Sequence, residues 1–289
     1  MPDANVHYLA IGHVARDLTP DGAILGGTVS FSALTARAMG YTPGIVTAYG
    51  PEQPLGPLGG VALHTLESPV STTFENTYHA GARTQYLRGQ ARPLSIDDVP
   101  TEWLRSPVVH VAPLANELRA ELLADFEGSF VGLTPQGWFR EWDADGKVRP
   151  RIWPAVADWD ATVGYLSKAS AIVFSIEDVG GDWEIVERWA RIAQVLAVTR
   201  GREGCTVFRK GEGAREFAAQ PRVEVDPTGA GDIFAAAFFI HCYETRDPWA
   251  AAVVANHIAG TSVTRAGISG VPTPEEVGLA RLKAESLGH

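Results

Sequence analysis

One short run constrains this chain more than any other: Val225-Asp226-Pro227-Thr228-Gly229-Ala230-Gly231-Asp232, followed by a mostly apolar stretch over 233–242. Residues with little side-chain bulk lead into what reads as a helix start, and a carboxylate stands on the boundary. The first N–H groups of a helix have no intrahelical partner, so that end attracts anions. Gly229, Ala230 and Gly231 let a phosphate approach the backbone closely. Asp232 stands beside that anion, where it can take a proton from an attacking hydroxyl. An anion hole with an adjacent base is the minimum equipment for phosphoryl transfer to an alcohol. The plain structural alternative is a glycine-rich turn with a helix-capping Asp232.

The rest of the chain predicts an ordinary globular protein. Its 289 residues allow one large domain, and 45% hydrophobic against 20% charged residues is the usual balance for a soluble fold. A net charge of -10 argues against a broad basic face for nucleic acid. Cys205 and Cys242 each lie alone in an apolar run, which fits buried thiols in a reducing compartment. No apolar stretch has the length of a membrane span, and residues 1–5 lack a basic segment before an apolar core. The expectation is therefore a cytoplasmic protein that binds neither membrane nor nucleic acid.

Short apolar, β-rich runs recur at 6–11, 45–49, 108–112, 130–133, 171–175 and 195–199. Helical patterns fall at 30–39, 116–126, 183–192, 250–264 and 274–287. Strands alternating with helices predict an α/β fold with a mostly parallel sheet covered on both faces, whose ligands gather at the carboxyl ends of the strands. One region breaks the rhythm: 71–78 and 83–92 are rich in Thr, Tyr and polar residues around His79-Ala80-Gly81-Ala82, which predicts a half-exposed hairpin. No Gly-x-x-x-x-Gly-Lys-Ser/Thr, no Gly-x-Gly-x-x-Gly after the first strand and no His-Glu-x-x-His occurs, so P-loop, dinucleotide and zinc chemistries are disfavoured.

The string Asp226-Pro227-Thr228-Gly229-Ala230-Gly231-Asp232 resembles the signature of the ribokinase-like (PfkB) family of carbohydrate and nucleoside kinases. The resemblance implies a three-layer α/β/α fold with a mostly parallel central sheet. It implies one domain over 1–289, with a small β-sheet lid from about 14–27 and 66–94. Asp232 would be the catalytic base, with Gly229, Ala230 and Gly231 as the anion hole. ATP and magnesium would be the cofactors. The turn after a late strand would lie against the nucleotide, which assigns Thr199, Gly201 and Gly204 there, with Thr228, Asn256 and Gly267. The family's Asn-x-x-Glu motif corresponds to Ser175-Ile176-Glu177-Asp178, where Ser stands for Asn and Asp for Glu. Asp178 and Glu177 would hold the metal through water.

On the acceptor side, an ionised Asp only accepts hydrogen bonds, which suits it to the hydroxyls of a polyol. The resemblance assigns that role to Asp17, with the Gly26-Gly27 backbone beside the sugar. Arg83 on the hairpin, and Gln136 or Arg140 after the strand at 130–133, complete the expected acceptor set. Ribokinases carry Lys and Asn after the di-glycine, and this chain has Thr28 and Phe31 instead. The stretch 25–31, Thr72-Thr73-Phe74, the 142–148 turn and Gly201-Arg202-Glu203-Gly204-Cys205 are closer to plant myo-inositol kinases. A small sugar or cyclitol acceptor of the myo-inositol type is thus favoured. Two alternatives stand beside it: a nucleoside kinase that stacks a base on Phe31, Phe74 or Trp138, and a catalytically silent sugar-binding member. The family lid also implies a homodimer formed through it.

Overall fold

The first strand, β1 (Tyr8–Ile11), is buried along its whole length, as an unbroken apolar run must be in a parallel sheet covered on both faces. It feeds a hairpin, β2 (Ala15–Thr19) and β3 (Gly22–Gly26), and then helix α1 (Thr28–Ala38). Strands β4 (Pro43–Tyr49) and β5 (Ala62–Glu67) follow, then a second hairpin, β6 (Thr72–His79) and β7 (Ala82–Gly89). Next come β8 (Val108–Val111), β9 (Phe130–Leu133) and a small ribbon, β10 (Arg140–Trp142) with β11 (Val148–Pro150). The chain continues through α2 (Trp159–Leu166), β12 (Ala171–Ser175), α3 (Trp183–Ala190), β13 (Val195–Thr199), β14 (Cys205–Arg209) and β15 (Gly213–Phe217). It ends in three helices, α4 (Ala230–Thr245), α5 (Pro248–Ser262) and α6 (Pro274–Ser286). This computed structural model describes residues 5–79 and 82–287, with the backbone alone for Tyr78, His79, Ala82, Arg83 and Val156.

Among the described residues, nine strands form a central sheet in the order β15-β14-β13-β12-β9-β8-β1-β4-β5. All neighbours from β5 to β13 pair parallel, and only β14 and β15 turn antiparallel. One face packs on α1, α4, α5 and α6 through residues such as Phe31, Phe234, Ala251 and Ala280. The other packs on α2, α3 and short 3-10 turns through Trp103, Leu123, Leu166 and Trp189. Helix α4 is buried on all sides over 233–242 because sheet and α5 enclose it, which explains why that stretch is apolar apart from His241.

A separate four-stranded sheet has the order β3-β2-β6-β7. Within it β2 runs parallel to β6, with Asp17 opposite Phe74, and the hairpins themselves are antiparallel. The expected hairpin therefore exists, and the turn at 80–81 lies outside the described residues.

The expected helix at 116–126 does not form; the segment holds one short 3-10 turn, Ala120–Ala124. Asn116 is left-handed at φ 60°. The buried Glu117 carboxylate accepts the N–H groups of Leu114 and Ala115 (3.0 and 2.7 Å) and, across the fold, of His13 at 2.9 Å. A side chain that satisfies nearby backbone donors competes with helix formation, and here it staples the end of β8 to the exit of β1.

Candidate active site

The turn before α4 is held from beneath and from the side. The two carboxylate oxygens of Asp226 accept the Thr228 N–H at 2.9 Å and the Gly267 N–H at 2.8 Å. That joins the glycine turn to the 3-10 turn Gly267–Gly270. Gly229 caps α4 at φ 79°, and a Cβ there would run into the ring of Phe31. The Ala230 N–H is bonded to the Pro227 carbonyl at 3.2 Å. Among the described residues the N–H groups of Gly229, Gly231 and Asp232 have no partner, so the free amides are not the three consecutive ones of the turn.

Asp232 lies in the first turn of α4, half-buried. Burial pushes its carboxyl up to about 6; the Thr28 hydroxyl and the Arg140 charge work against that, and the Asp178 and Asp17 charges reinforce it. Those influences locate the site, because they come from the start of α1, β10, the turn after β12 and β2, and all reach one carboxylate. Ser32, one turn beyond Thr28 on α1, donates its hydroxyl to the Asp232 carbonyl at 3.3 Å. Thr28, Phe31 and Ser32 share one helix face, at spacing i, i+3, i+4, and that face is the floor of the turn.

Asp17 stands on β2, and its carboxylate occupies the space that a Cβ on Gly26 would need. The di-glycine thus lets the acid lie flat on the backbone that leads into α1. Arg140 begins β10 with its guanidinium 5.7 Å from the centre of the Phe74 ring. Its charge stabilises both the Asp232 and the Asp178 carboxylates. Gln136 donates to Asp178 Oδ1 at 3.4 Å, and the Ser175 N–H donates to Oδ2 at 2.9 Å. Burial still pushes the Asp178 carboxyl above its ordinary value, against the Arg140 charge and those two bonds and helped by the Glu177 charge. Glu177 is exposed beside it. The Arg83 backbone pairs with Tyr78 in the small sheet, and its side chain lies outside the described residues.

The expected donor-side residues fall in two groups. Thr199 ends β13 and pairs with Ser175 and Cys205, and Gly201 and Gly204 shape the turn that follows, both left-handed. Gly267 is joined instead to Thr228, through Asp226. Asn256 on α5 spends its amide on the Phe217 carbonyl at 3.1 Å and on the Cys205 sulfur at 3.5 Å, which fastens the sheet edge to the helix.

The sequence left Thr28 and Ser32 without a role, and gave Asp226 none beyond its place in the motif. Two hydroxyls four residues apart after a di-glycine were the available signal for the first pair. The aromatic residues considered as a stacking surface are core: Phe31, Phe74 and Trp138 are 2%, 3% and 2% exposed.

Among the described residues no group of three or more His, Cys, Asp or Glu side chains is placed to cage a metal. The donor set fits magnesium in its other mode, since that ion keeps most of its waters and takes one or two carboxylates plus phosphate. Asp178 and Glu177 supply hard oxygens at the strand end, and among the described residues Asp178 Oδ1 carries only the long bond to Gln136.

Residues 182–275 match the pfkB family carbohydrate kinase sequence profile. The chain is 27% identical to a cytidine kinase of Thermococcus kodakarensis over 247 residues, 80% of this chain and 86% of that protein. Over 79 residues it is 38% identical to inositol 3-kinase of Oryza sativa subsp. japonica, a local match covering 27% of this chain and 20% of that protein. A solved pyrophosphate-dependent kinase of the ribokinase family, complexed with a pyrophosphate analog and myo-inositol, superimposes with TM-score 0.76 at 21% identity. That superposition covers 94% of this chain and 99% of the other and shows the shared fold. The small sheet, the parallel central sheet and the glycine turn before α4 are therefore read together: residues 182–275 carry a pfkB family carbohydrate kinase domain within a ribokinase-like fold, and the chain is a sugar or nucleoside kinase that transfers a phosphoryl group to an alcohol.

Proposed function

We propose that this enzyme transfers the γ-phosphoryl group of ATP to a hydroxyl of a small sugar or cyclitol, with an acceptor of the myo-inositol type favoured. The observation that carries the proposal is the convergence on Asp232 of Asp17, Arg140, Asp178 and the Thr28 hydroxyl, beside unpartnered amides at a helix start.

Asp17 and the Gly26-Gly27 backbone hold the acceptor under the small sheet, which acts as a lid, with Gln136 and Arg140 lining the far side. Thr199, Gly201, Gly204, Thr228, Asn256 and Gly267 line the donor side. Asp232 accepts the hydroxyl proton as the acceptor oxygen bonds to the γ-phosphorus. The bond from that phosphorus to the bridging oxygen breaks, and ADP leaves. The Gly229 and Gly231 amides stabilise charge on the phosphate oxygens. Bound magnesium neutralises phosphate charge, and Asp178 and Glu177 would hold it through water. A carboxyl held at about 6 is mostly ionised at neutral pH yet basic enough to take a proton.

The whole-length relative that phosphorylates cytidine keeps a nucleoside acceptor in view. The burial of Phe31, Phe74 and Trp138 removes the stacking surface which that reading called for, and supports the compact polyol. The test is turnover of ATP with magnesium over inositols, hexoses and nucleosides, repeated with pyrophosphate as donor. Acceptor-dependent ADP release with a cyclitol or sugar is expected; release only with nucleosides would overturn the acceptor assignment.

A further inference from the structure

Beneath the first turn of α4 lies a file of polar side chains that this chemistry does not use. Tyr8, Ser32 and His110 are fully buried and Thr134 nearly so. Ser32 Oγ donates to the Asp232 carbonyl at 3.3 Å and also faces the Tyr8 hydroxyl. That hydroxyl is 2.7 Å from His110 Nδ1, and His110 Nε2 is 2.9 Å from Thr134 Oγ1. Burial pushes His110 down to about 3, so its ring is neutral and carries one N–H. One assignment of protons satisfies every link. Thr134 donates to Nε2, Nδ1–H donates to Tyr8, and Ser32 donates to the Asp232 carbonyl, which leaves the Tyr8 proton free to turn toward Ser32.

The four residues come from β1, α1, β8 and the end of β9, whereas their target is on α4. The His110 ring also meets Phe239 of α4 edge-on, with centroids 4.9 Å apart. Apolar side chains could fill this space without the risk of an unmade bond, so a fully partnered polar file in the core calls for a reason. A base must lie within hydrogen-bond reach of the proton it takes, and small misplacements are costly.

We propose that Tyr8 and Ser32 are positioning residues for Asp232, fixing the first turn of α4 above the central sheet through this buried chain of hydroxyls. The proposal rests on the kinase reading above. Tyr8→Phe removes one oxygen and keeps the ring. Its kcat is expected to fall about 5–50-fold per folded enzyme, with KM for donor and acceptor within about threefold of wild type. Ser32→Ala should behave alike, and the double variant should be no worse than the worse single by more than about twofold, because a chain broken twice is still one broken chain. A merely structural role would lower the unfolding temperature and leave kcat per folded molecule unchanged. That result in Tyr8→Phe, or effects that multiply in the double variant, would overturn the proposal. Should Tyr8→Phe not fold, Ser32→Ala and Thr134→Val carry the same comparison. Failure of the kinase reading shows separately, as absence of acceptor-dependent turnover in the wild type with either donor, and takes this proposal with it.

Discussion

The ring of Phe31 lies where a side chain on Gly229 would have to go. Helix α1 and the glycine turn are thus one mechanical unit: the segment that leaves the Gly26-Gly27 pair also supports the turn before α4. Gly229 is doubly constrained, by the ring and by its φ of 79°. Gly229→Ala is expected to destabilise the fold by about 1–3 kcal/mol and to raise donor KM more than acceptor KM. Denaturant unfolding and steady-state kinetics check both, and a variant with unchanged stability would show that the ring gives way freely.

Asp232→Asn removes the base and also the unfavourable burial of a charge. Turnover should drop by about 10²–10⁴ while nucleotide binding persists. The sign of the stability effect follows from the raised carboxyl: the wild-type penalty is absent below the ordinary Asp value, grows as pH rises toward about 6, and is complete above it. The variant should therefore melt on the order of 2–4 °C higher than wild type at pH 8, with the gap closing toward pH 4. A gap that widens on acidification would contradict the buried-charge account.

The acid limb of kcat/KM should fall near pH 6, the value at which Asp232 ionises. The Thr28 hydroxyl favours the ionised form, so Thr28→Val should move that limb to higher pH and Thr28→Ser should restore it. An unmoved limb in Thr28→Val would mean that another group sets the profile.

Asp226 satisfies two N–H groups from separate turns, those of Thr228 and Gly267. Asp226→Ala leaves both donors unmet and should raise donor KM about tenfold or more; Asp226→Asn, with one acceptor oxygen left, should fall between. Acceptor KM is expected to stay within about twofold in both. Equal loss on the two substrates would indicate general collapse of the turn.

Gly26→Ala places a methyl in the space taken by the Asp17 carboxylate. Acceptor KM should rise at least about tenfold, with donor KM little changed. Isothermal titration with the preferred acceptor gives an independent reading of the same displacement.

Much of this protein is local, and local features are legible in one dimension. The run from Asp226 to Asp232 declares a turn, a helix start and an acid without reference to any other part of the chain. Apolar runs mark β1, β8, β9, β12 and β13 because a strand buried on both faces has no freedom to be polar. The failure at 116–126 is equally instructive: the helical pattern was present, but Glu117 bonded backbone groups brought to it by β1 and β8. Only the assembled fold decided that Arg140 and Asp178, far from Asp232 in the chain, would act on its carboxylate, and that Phe31 and Trp138 would be core. Electrostatic influence and burial depend on distance in space, which a linear order does not contain; the turn chemistry depends on neighbours along the chain, which it does.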